Sequence, residues 1–313
     1  MPIDLTDIQA VYKDAGEHIN FTTLVFNRTD QAAELAAVQA FAESYPSIVN
    51  SMNIRYPDAK LAVAVGFSNA GWTYLFPNAD KPKQLVDFEP VVGPKYTAPA
   101  TPGDLFFHVR AVTEAVVYEI MDQFSEFFRG VTTVEDETHG FRYFEGRAII
   151  GFIDGTENPS VLQAPEYAVI GDEDPAFING SYAFAQKYNH NMDAWKDLPT
   201  DQQEKAIGRH KFSDRELPDE EKAPNAHNIA SQDNEGGVEH KIVRMNVPFS
   251  DPASNVTGTY FIGYSREYAV VRRMLENMFS QSDRLLDFST PVTGNLFYIP
   301  SLSMIDRIAD GDL

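Results

Sequence analysis

The sequence predicts an α+β fold built from two ferredoxin-like β-α-β-β-α-β units, with antiparallel sheets and peripheral helices. Three observations support this prediction. Apolar, β-branched runs alternate with segments of helical periodicity along the chain. The order of these elements in the first half returns in the second half. The length of 313 residues suits two units of about 150 residues each.

The first half contains the elements of one such unit in order. Residues 30–44 carry Ala, Leu and Val at helical spacing, and Thr29 is a candidate N-cap. Residues 112–128 form a second, strongly periodic helix, and the Pro- and Gly-containing stretch 77–103 is predicted as a loop. Strands are predicted at 18–27, 61–67 and 104–110, with strand-like segments at 131–135 and 147–153.

The second half repeats this order. Strands are predicted at 181–188, 240–249, 257–265 and 295–300, and helices at 191–207 and 267–279. A shift of 154 residues (260 − 106 = 154) places three stretches of the first half on similar stretches of the second. They are Phe106-Phe107 on Tyr260-Phe261, Ala115-Val116-Val117 on Ala269-Val270-Val271, and Ile120-Met121-Asp122 on Met274-Leu275-Glu276. This internal echo indicates a duplication, and we expect one unit over residues 1–155 and another over 156–313.

Composition narrows the classes of function. A formal net charge of −21 repels nucleic acid and anionic lipid, so we expect neither as a partner. No apolar stretch approaches the about 20 residues of a membrane span, and the first residues lack the pattern of a signal peptide, so we expect a cytoplasmic protein without a membrane partner. The absence of cysteine excludes disulfides, thiolate nucleophiles, iron–sulfur clusters and thiolate-ligated haem.

The segment GFIDGTENPS (151–160) places an acidic residue at the end of an apolar run. The run AIIGFI (148–153) is predicted as a strand, and Asp154-Gly155 follows it directly. An Asp beside Gly commonly makes a turn by accepting hydrogen bonds from nearby N–H groups. The spacing does not match the calcium loop D-x-[DN]-x-[DN]-G, and no Lys-Ser/Thr follows the glycines as in a phosphate loop. Taken alone, the segment favours a turn.

Together with other stretches, GFIDGTENP resembles the GxxDG motif of the dye-decolourising peroxidases, which are haem enzymes with duplicated ferredoxin-like domains. The Asp–Arg–Asn arrangement described below is most similar to that of the compact bacterial subgroup. The other stretches that resemble the family, in the same order, are GDLFFHVRA (103–111), IGRHK (207–211), PNAHN (224–228), IVRMNVPF (242–249) and LLDFSTPVTG (285–294).

The resemblance implies a fold of the dimeric α+β barrel type and a haem b cofactor, one per chain. It implies a peroxidase that uses hydrogen peroxide to oxidise dyes, phenolics and similar aromatic donors through a ferryl intermediate. It also implies a homo-oligomer, a dimer or larger. Some relatives are packaged in encapsulin shells through a basic and apolar tail; residues 308–313 are acidic and short, so we expect no encapsulin packaging.

The resemblance assigns the axial ligand of the haem iron to His227. Imidazole is the usual ligand of such an iron. A carboxylate that accepts the imidazole N–H fixes the ring and makes it more electron-donating, and Asp287 is the residue that matches the family. Spacing alone does not separate the histidine from two others, His210 and His240. Two other carboxylates compete for the hydrogen bond, Glu235 and Glu239.

On the opposite haem face, peroxide must lose a proton from one oxygen and gain one on the other. One positioned base can do both, and the resemblance gives this task to Asp154. Arg244 beside it would keep it ionised and stabilise charge on the departing oxygen. Because Arg244 is bounded by apolar residues, it needs an anionic partner: a haem propionate, peroxide or Asp154. Asn246 lies two residues on, on the same strand face, and would orient water or peroxide.

Further haem contacts are expected around this pair. Arg209 would pair with a propionate, or it is a structural arginine near a helix end. Gly155 would let the backbone approach the porphyrin closely. Candidates for the remaining contacts are Thr156, Phe152, Phe261 and Met274, although ordinary core packing explains the apolar ones equally well.

Two other interpretations stay open at this point. In one, the protein binds haem but has little peroxidase turnover and serves haem storage, delivery or porphyrin metabolism. The other is an acidic binding protein without haem, in which DGTEN and DNEGG form cation loops.

Overall fold

The computed structural model describes residues 2–12 and 16–313. The strands are β1 His18–Phe26, β2 Ala62–Phe67, β3 Val91–Val92, β4 Thr97–Ala98, β5 Leu105–Ala111, β6 Thr132–Phe141, β7 Ser181–His190, β8 Val243–Asp251, β9 Val256–Ser265, β10 Ser289–Pro291 and β11 Asn295–Ile299. The α-helices are α1 Gln31–Arg55, α2 Asn69–Leu75, α3 Glu114–Phe128, α4 Ala164–Ala168, α5 Met192–Asp197, α6 Thr200–Ile207, α7 His227–Ala230, α8 Tyr268–Ser280 and α9 Leu302–Asp310. Short 3₁₀ turns lie at Pro57–Ala59, Phe144–Gly146, Pro175–Phe177, Glu235–Gly237 and Arg284–Asp287.

Nine strands form one antiparallel sheet in which the two units lie side by side. The order is β6-β1-β5-β2-β11-β7-β9-β8, and β10 pairs with β7. Within each unit the four main strands therefore lie in the order 4-1-3-2, and the pairing of Phe67 with Tyr298 joins the units. The predicted fold class, a duplicated β-α-β-β-α-β arrangement, is confirmed. The division at residue 155 stays a prediction.

The alternation of side chains along the strands separates two apolar clusters. On β5, Phe106 packs with Phe21 and strands of the second unit, whereas Phe107 packs beneath the helices. The two edge strands of the sheet approach each other at Gly140, where an added Cβ would lie 2.3 Å from Val247 Cγ1. The sheet therefore curls on itself around the first cluster, and the helices cover its outer face.

Two predicted helices differ from the observed ones. α1 begins after Asp30, whose side chain accepts a hydrogen bond from Ala33 N, and not after Thr29. It continues through Pro46 to Arg55, because the turns after the proline still bury apolar side chains. The predicted helix 191–207 is two helices, which are separated at the Leu198-Pro199 step because proline disfavours a helical conformation in the residue before it.

The predicted strand at 147–153 is wrong. The segment makes only one isolated bridge between its ends, and Gly151 adopts a φ of +96° within a turn. Its apolar residues Ile150 and Phe152 pack in a small separate cluster with Trp195, whose Nε1 donates to the carbonyl oxygen of Ile150 at 3.0 Å. A short apolar run fits a buried loop as well as a buried strand, so periodicity alone does not distinguish them.

In the described part of the chain, no helix combines the length and apolar character needed to span a bilayer.

Candidate active site

A large cavity opens in the second unit, below β8 and β9 and beside α8. The space between its walls, with the solvent at its open mouth included, is about 1580 Å³. Phe261 of β9, Met274 of α8 and Phe152 of the preceding loop form part of its apolar wall. The cavity therefore has room for a large, flat and mostly apolar group.

One wall of the cavity carries the imidazole of His227. Its Nδ1 lies 2.7 Å from Oδ2 of Asp283, a carboxylate that is fully buried. Because a carboxylate accepts hydrogen bonds, this contact favours the neutral tautomer with the proton on Nδ1 and the lone pair on Nε2. Among the residues described, none makes a hydrogen bond with this Nε2. His227 is thus prepared to coordinate a metal from the cavity wall.

The loop that carries Asp283 is fastened to the loop that carries His227. Asp283 Oδ1 accepts a hydrogen bond from Leu285 N at 2.8 Å, which fixes the carboxylate. The side-chain Nδ2 of Asn225 donates to the carbonyl oxygen of Ser282 at 2.6 Å. The backbone carbonyl oxygen of Asn225 accepts a hydrogen bond from Arg284 N at 3.1 Å. The histidine–carboxylate pair is therefore held from both loops.

The structure corrects the carboxylate that the sequence paired with this imidazole. Asp287 lies one turn beyond Asp283, where it accepts hydrogen bonds from Lys95 and Tyr96 and pairs with Arg284 at 2.8 Å. Burial raises the pKa of Asp287, but these hydrogen bonds outweigh the burial and bring the pKa below its ordinary value. The carboxylate of Asp287 therefore interacts with these three residues and not with His227.

The competing residues are also accounted for. Glu235 pairs with Arg273 at 3.2 Å, and Glu239 lies at the cavity with Lys241. His210 is hydrogen-bonded to a glutamate outside the cavity. His240 does line the cavity, but in the described part of the chain no carboxylate accepts a hydrogen bond from its ring.

A histidine that the sequence analysis did not single out also lines the cavity. His190 bonds Thr259 Oγ1 through Nε2 at 2.8 Å and Ser289 Oγ through Nδ1 at 2.9 Å. Burial lowers its pKa to about 4, so the ring is neutral at pH 7. Because both ring nitrogens are occupied, His190 is less suited to bind a metal than His227.

β8 and the loop after Gly151 also contribute side chains to the wall of this cavity. Arg244 and Asn246 share one face of β8, whereas Met245 points to the cluster inside the curled sheet. Asp154 is held by Asn246 twice: Oδ1 accepts from Asn246 Nδ2 at 2.7 Å, and Oδ2 accepts from Asn246 N at 3.0 Å. Both carboxylate oxygens are therefore fixed relative to the strand.

The expected contact between Asp154 and Arg244 is not formed. Within residues 2–12 and 16–313, the guanidinium of Arg244 makes no ion pair with an acidic side chain, although it lines the cavity. A half-buried arginine without an acidic partner favours an anion in the space it faces. The acid and the arginine thus lie at the same cavity as separate groups.

Gly155 adopts a backbone conformation that favours glycine. Its φ is +79°, in the left-handed region that residues with a Cβ rarely adopt. A Cβ built there would lie no closer than 3.4 Å to any neighbour, the nearest being Asn158 Nδ2. The turn conformation, and not crowding, requires the glycine.

Arg209 reaches the rim of the cavity beside Thr156, but it already has partners. Its Nη1 donates to the carbonyl oxygen of Asp214 at 2.9 Å, and its Nη2 donates to the carboxylate of Glu157. Only 15% of its side chain is exposed. Both alternatives predicted for Arg209 therefore have a structural basis, because it braces two loops and also faces the cavity.

Taken together, an imidazole backed by a buried carboxylate lines the same cavity as an acid, an amide and an arginine. A porphyrin brings four nitrogen ligands of its own and needs from the protein one axial ligand and apolar walls. The residues present fit that requirement. Fold and site together define a protein whose cavity can hold a haem and is lined by an imidazole, an acid, an amide and an arginine.

Comparison with known proteins identifies the family. A family model described as Dyp-type peroxidase, N-terminal, matches residues 9–142, and one described as Dyp-type peroxidase, C-terminal, matches residues 145–304. The chain belongs to the Dyp-type peroxidase family and is a haem peroxidase.

Individual relatives agree with this assignment. A dye-decolorizing peroxidase of Mycolicibacterium paratuberculosis is 43% identical over 279 residues, which cover 87% of this chain and 78% of the relative. The crystal structure of a dye-decolorizing peroxidase from Bacteroides thetaiotaomicron matches with a TM-score of 0.92 at 46% identity, covering 96% of this chain and 98% of that one. The structure of a variant of DypB from Rhodococcus jostii RHA1 in complex with heme matches with a TM-score of 0.90 at 38% identity. The match covers 95% of this chain and 97% of that one.

A further structure corrects the expectation about packaging. The encapsulated DyP-type peroxidase from Mycobacterium smegmatis, solved by cryo-EM, matches with a TM-score of 0.90 at 38% identity, covering 97% of this chain and 98% of that one. The prediction that encapsulin packaging does not occur is therefore wrong. It relied on the acidity of six residues, and a short charged stretch carries too little information to exclude an association that a protein of the same fold makes.

Proposed function

We propose that this haem peroxidase binds one haem b per chain in the cavity and oxidises aromatic donors, such as phenolics and dyes, with hydrogen peroxide. The observation that carries the proposal is that two groups of side chains line one cavity. The first is the carboxylate-backed imidazole of His227, and the second is Asp154 with Asn246 and Arg244. We place the two groups on opposite faces of the haem, as the family resemblance implies. When bound, the haem supplies the iron that reacts with peroxide and takes electrons from the donor.

On the imidazole side, Asp283 is the positioning group. It accepts the Nδ1 proton of His227, holds the ring plane and makes Nε2 a stronger electron donor. The hydrogen bond from Leu285 N keeps the carboxylate from rotating away.

On the peroxide side, Asp154 moves a proton. A carboxylate oxygen takes the proton from one peroxide oxygen and returns it to the other, which leaves as water. Asn246 orients the carboxylate through two hydrogen bonds. The guanidinium of Arg244 stabilises negative charge on the departing oxygen, a task for which its lack of an acidic partner among the described residues suits it.

The remaining predicted contacts complete the binding of the porphyrin. Arg209 has five N–H donors, and the two hydrogen bonds to Asp214 and Glu157 leave others for a haem propionate. Other residues proposed to contact the porphyrin are Gly155, Thr156, Phe261 and Met274.

The proposal is tested with the double variant Asp154→Ala/Arg244→Ala and each single variant, all loaded with haem to the same Soret absorbance. We expect peroxide-dependent oxidation of a phenolic dye to fall by roughly 10²–10³-fold in the single variants, because each removes a proton-transfer or charge-stabilising group. If wild type and double variant oxidise the dye equally slowly, the proposal is contradicted. That result would instead indicate a haem-handling protein with little peroxidase turnover.

Three broader properties are also proposed. The family resemblance supports a homo-oligomer, and sedimentation of the purified protein tests it. A cytoplasmic location stays a prediction, tested by fractionation of the source cells. The encapsulated relative supports packaging of this chain in an encapsulin shell, which co-expression with a shell protein and co-elution in size exclusion would test.

A further inference from the structure

Strand β8, which carries Arg244 and Asn246, forms an edge of the sheet. It pairs with β9 on one side only, so alternate N–H and C=O groups on its other side need partners. The next residue of the same parity, Pro248, has no N–H to satisfy, which is typical of an edge strand. Two outward N–H groups therefore remain in this part of the strand, those of Arg244 and Asn246.

Side chains of the GFIDGTENPS segment take both of these groups. Asn158 Oδ1 accepts from Arg244 N at 3.0 Å, and Asn158 Nδ2 donates to the carbonyl oxygen of Arg244 at 2.8 Å. Asp154 Oδ2 accepts from Asn246 N at 3.0 Å. The amide of Asn158 thus bonds Arg244 as the backbone of a neighbouring strand would, and the segment replaces the missing strand.

The two anchors are linked through a tight turn. Asn158 N donates to the carbonyl oxygen of Gly155 at 3.0 Å, and Gly155 has the positive φ that closes the turn after Asp154. Asn158 does not line the haem cavity. It lines a second cavity, which shares Asp154, Gly155, Arg244 and Asn246 with the first. Asn158 is therefore placed to act on the reaction through the residues that the two cavities share.

We infer that Asn158 is a positioning residue for the peroxide reaction. Its side-chain amide fixes the backbone of Arg244 and, through the turn that starts at Gly155, the carboxylate of Asp154. The Arg244 guanidinium and the Asp154 carboxylate are thereby kept at a constant distance from the bound peroxide. This inference rests on the roles proposed above for Asp154 and Arg244. Displacement of a reacting group by about 1 Å can cost on the order of 100-fold in rate, so loss of this clamp has a measurable effect.

The test compares Asn158→Ala with Ser160→Ala in the haem-loaded protein. Ser160 lies in the same segment, and its hydroxyl donates to Gln163 Oε1 at 2.9 Å; among the described residues it bonds no atom of β8. For Asn158→Ala we expect the rate constant with hydrogen peroxide to fall by roughly 10- to 100-fold, with the ferric haem spectrum and the KM for the donor unchanged. Ser160→Ala keeps the wild-type rate.

A second readout does not depend on haem or activity. Hydrogen exchange of the Arg244 amide, followed by NMR or mass spectrometry, accelerates in Asn158→Ala and not in Ser160→Ala, because only the former loses the acceptor. Faster exchange together with a wild-type peroxide rate would overturn the inference, and so would unchanged exchange.

Asn158→Asp gives a decision even if the alanine variant fails to fold. It keeps the acceptor for Arg244 N but loses the donor to the Arg244 carbonyl, so the peroxide rate should fall to between those of wild type and Asp154→Ala. A wild-type rate in Asn158→Asp contradicts the clamp. If Asp154→Ala is slow while the Asn158 variants are normal, only this inference fails; if Asp154→Ala is also normal, the proposed function fails.

Discussion

Equivalent positions in the two units pack differently beneath the same kind of sheet. The shift of 154 residues relates Phe107 to Phe261, and Phe124 to Met278 (278 − 124 = 154). In the first unit Phe107 and Phe124 are buried, and Phe41 of α1 meets them edge-on at ring distances of 5.6 and 5.0 Å. In the second unit their counterparts line the haem cavity.

The difference arises in the connection between the first and second strands of each unit. In the first unit this connection is one continuous helix, α1 of 25 residues, which inserts Phe41 into the space. In the second unit residues 191–242 form short helices that are broken at Pro199 and at Gly208, whose φ is +88°. This broken connection carries His227 and frames a space instead of filling it. The two units thus share the same sheet arrangement. The connection between their first and second strands determines whether the interior is filled by side chains or contains a cavity.

The largest expected effect contrasts the two interiors directly. Phe124→Ala should lower the free energy of unfolding by about 3–5 kcal/mol, because it opens a cavity in a filled core. Met278→Ala in the haem-free protein should cost less than about 1 kcal/mol, since its side chain already borders empty space. Urea unfolding of both variants measures the contrast, and equal losses would show that the second unit is as tightly packed as the first.

A smaller effect concerns the buried His190 of the second unit. Its pKa in the folded chain is about 4, below the ordinary value of 6.5, so between these pH values the unfolded chain binds a proton that the folded chain does not. Stability is then fully present above about pH 6.5 and falls as the pH drops toward 4, by at most about 3 kcal/mol from this group.

Thermal unfolding of the haem-free protein from pH 7 to pH 4 checks this expectation. His190→Gln should lose less stability than wild type over the same range. Identical pH profiles for the two proteins would mean that this histidine does not contribute.

The smallest effect separates the two carboxylates near His227, the proposed axial ligand. Asp283→Asn should weaken haem binding by roughly 10- to 100-fold, about 1.4–2.7 kcal/mol, because it removes the charged acceptor of the His227 Nδ1 proton. Asp287→Asn should change the affinity by less than about twofold, since its partners are Lys95 and Tyr96. Transfer of haem to a scavenging globin measures both, and a larger loss in Asp287→Asn would reverse the assignment.

Much of the fold could be predicted from the sequence because its signals are local and repeated. Apolar periodicity located the main strands, and the echo at a spacing of 154 residues indicated two equivalent units. The segment 147–153 was misjudged as a strand, because a short apolar run does not reveal whether its backbone pairs with a sheet or packs around Trp195.

The candidate site could be predicted only in part. Family motifs pointed to Asp154, Arg244 and His227, which the fold brings to one cavity across long separations in sequence. The choice between Asp283 and Asp287 depends on a 3₁₀ turn and on the bonds between two loops, and no local pattern encodes these. The contacts of Asn158 with β8 could not be predicted for the same reason. Nothing in the sequence of a polar turn shows that an amide side chain faces the edge of a sheet.

The most direct test of the account is the spectrum of His227→Gly loaded with haem, recorded without and with free imidazole. If the imidazole of His227 binds the iron, the variant should lose the wild-type ferric spectrum or fail to retain haem, and added imidazole should restore the spectrum. A variant that keeps the wild-type spectrum without added imidazole would show that another group holds the iron, and would contradict the central claim that the second unit is built around this histidine.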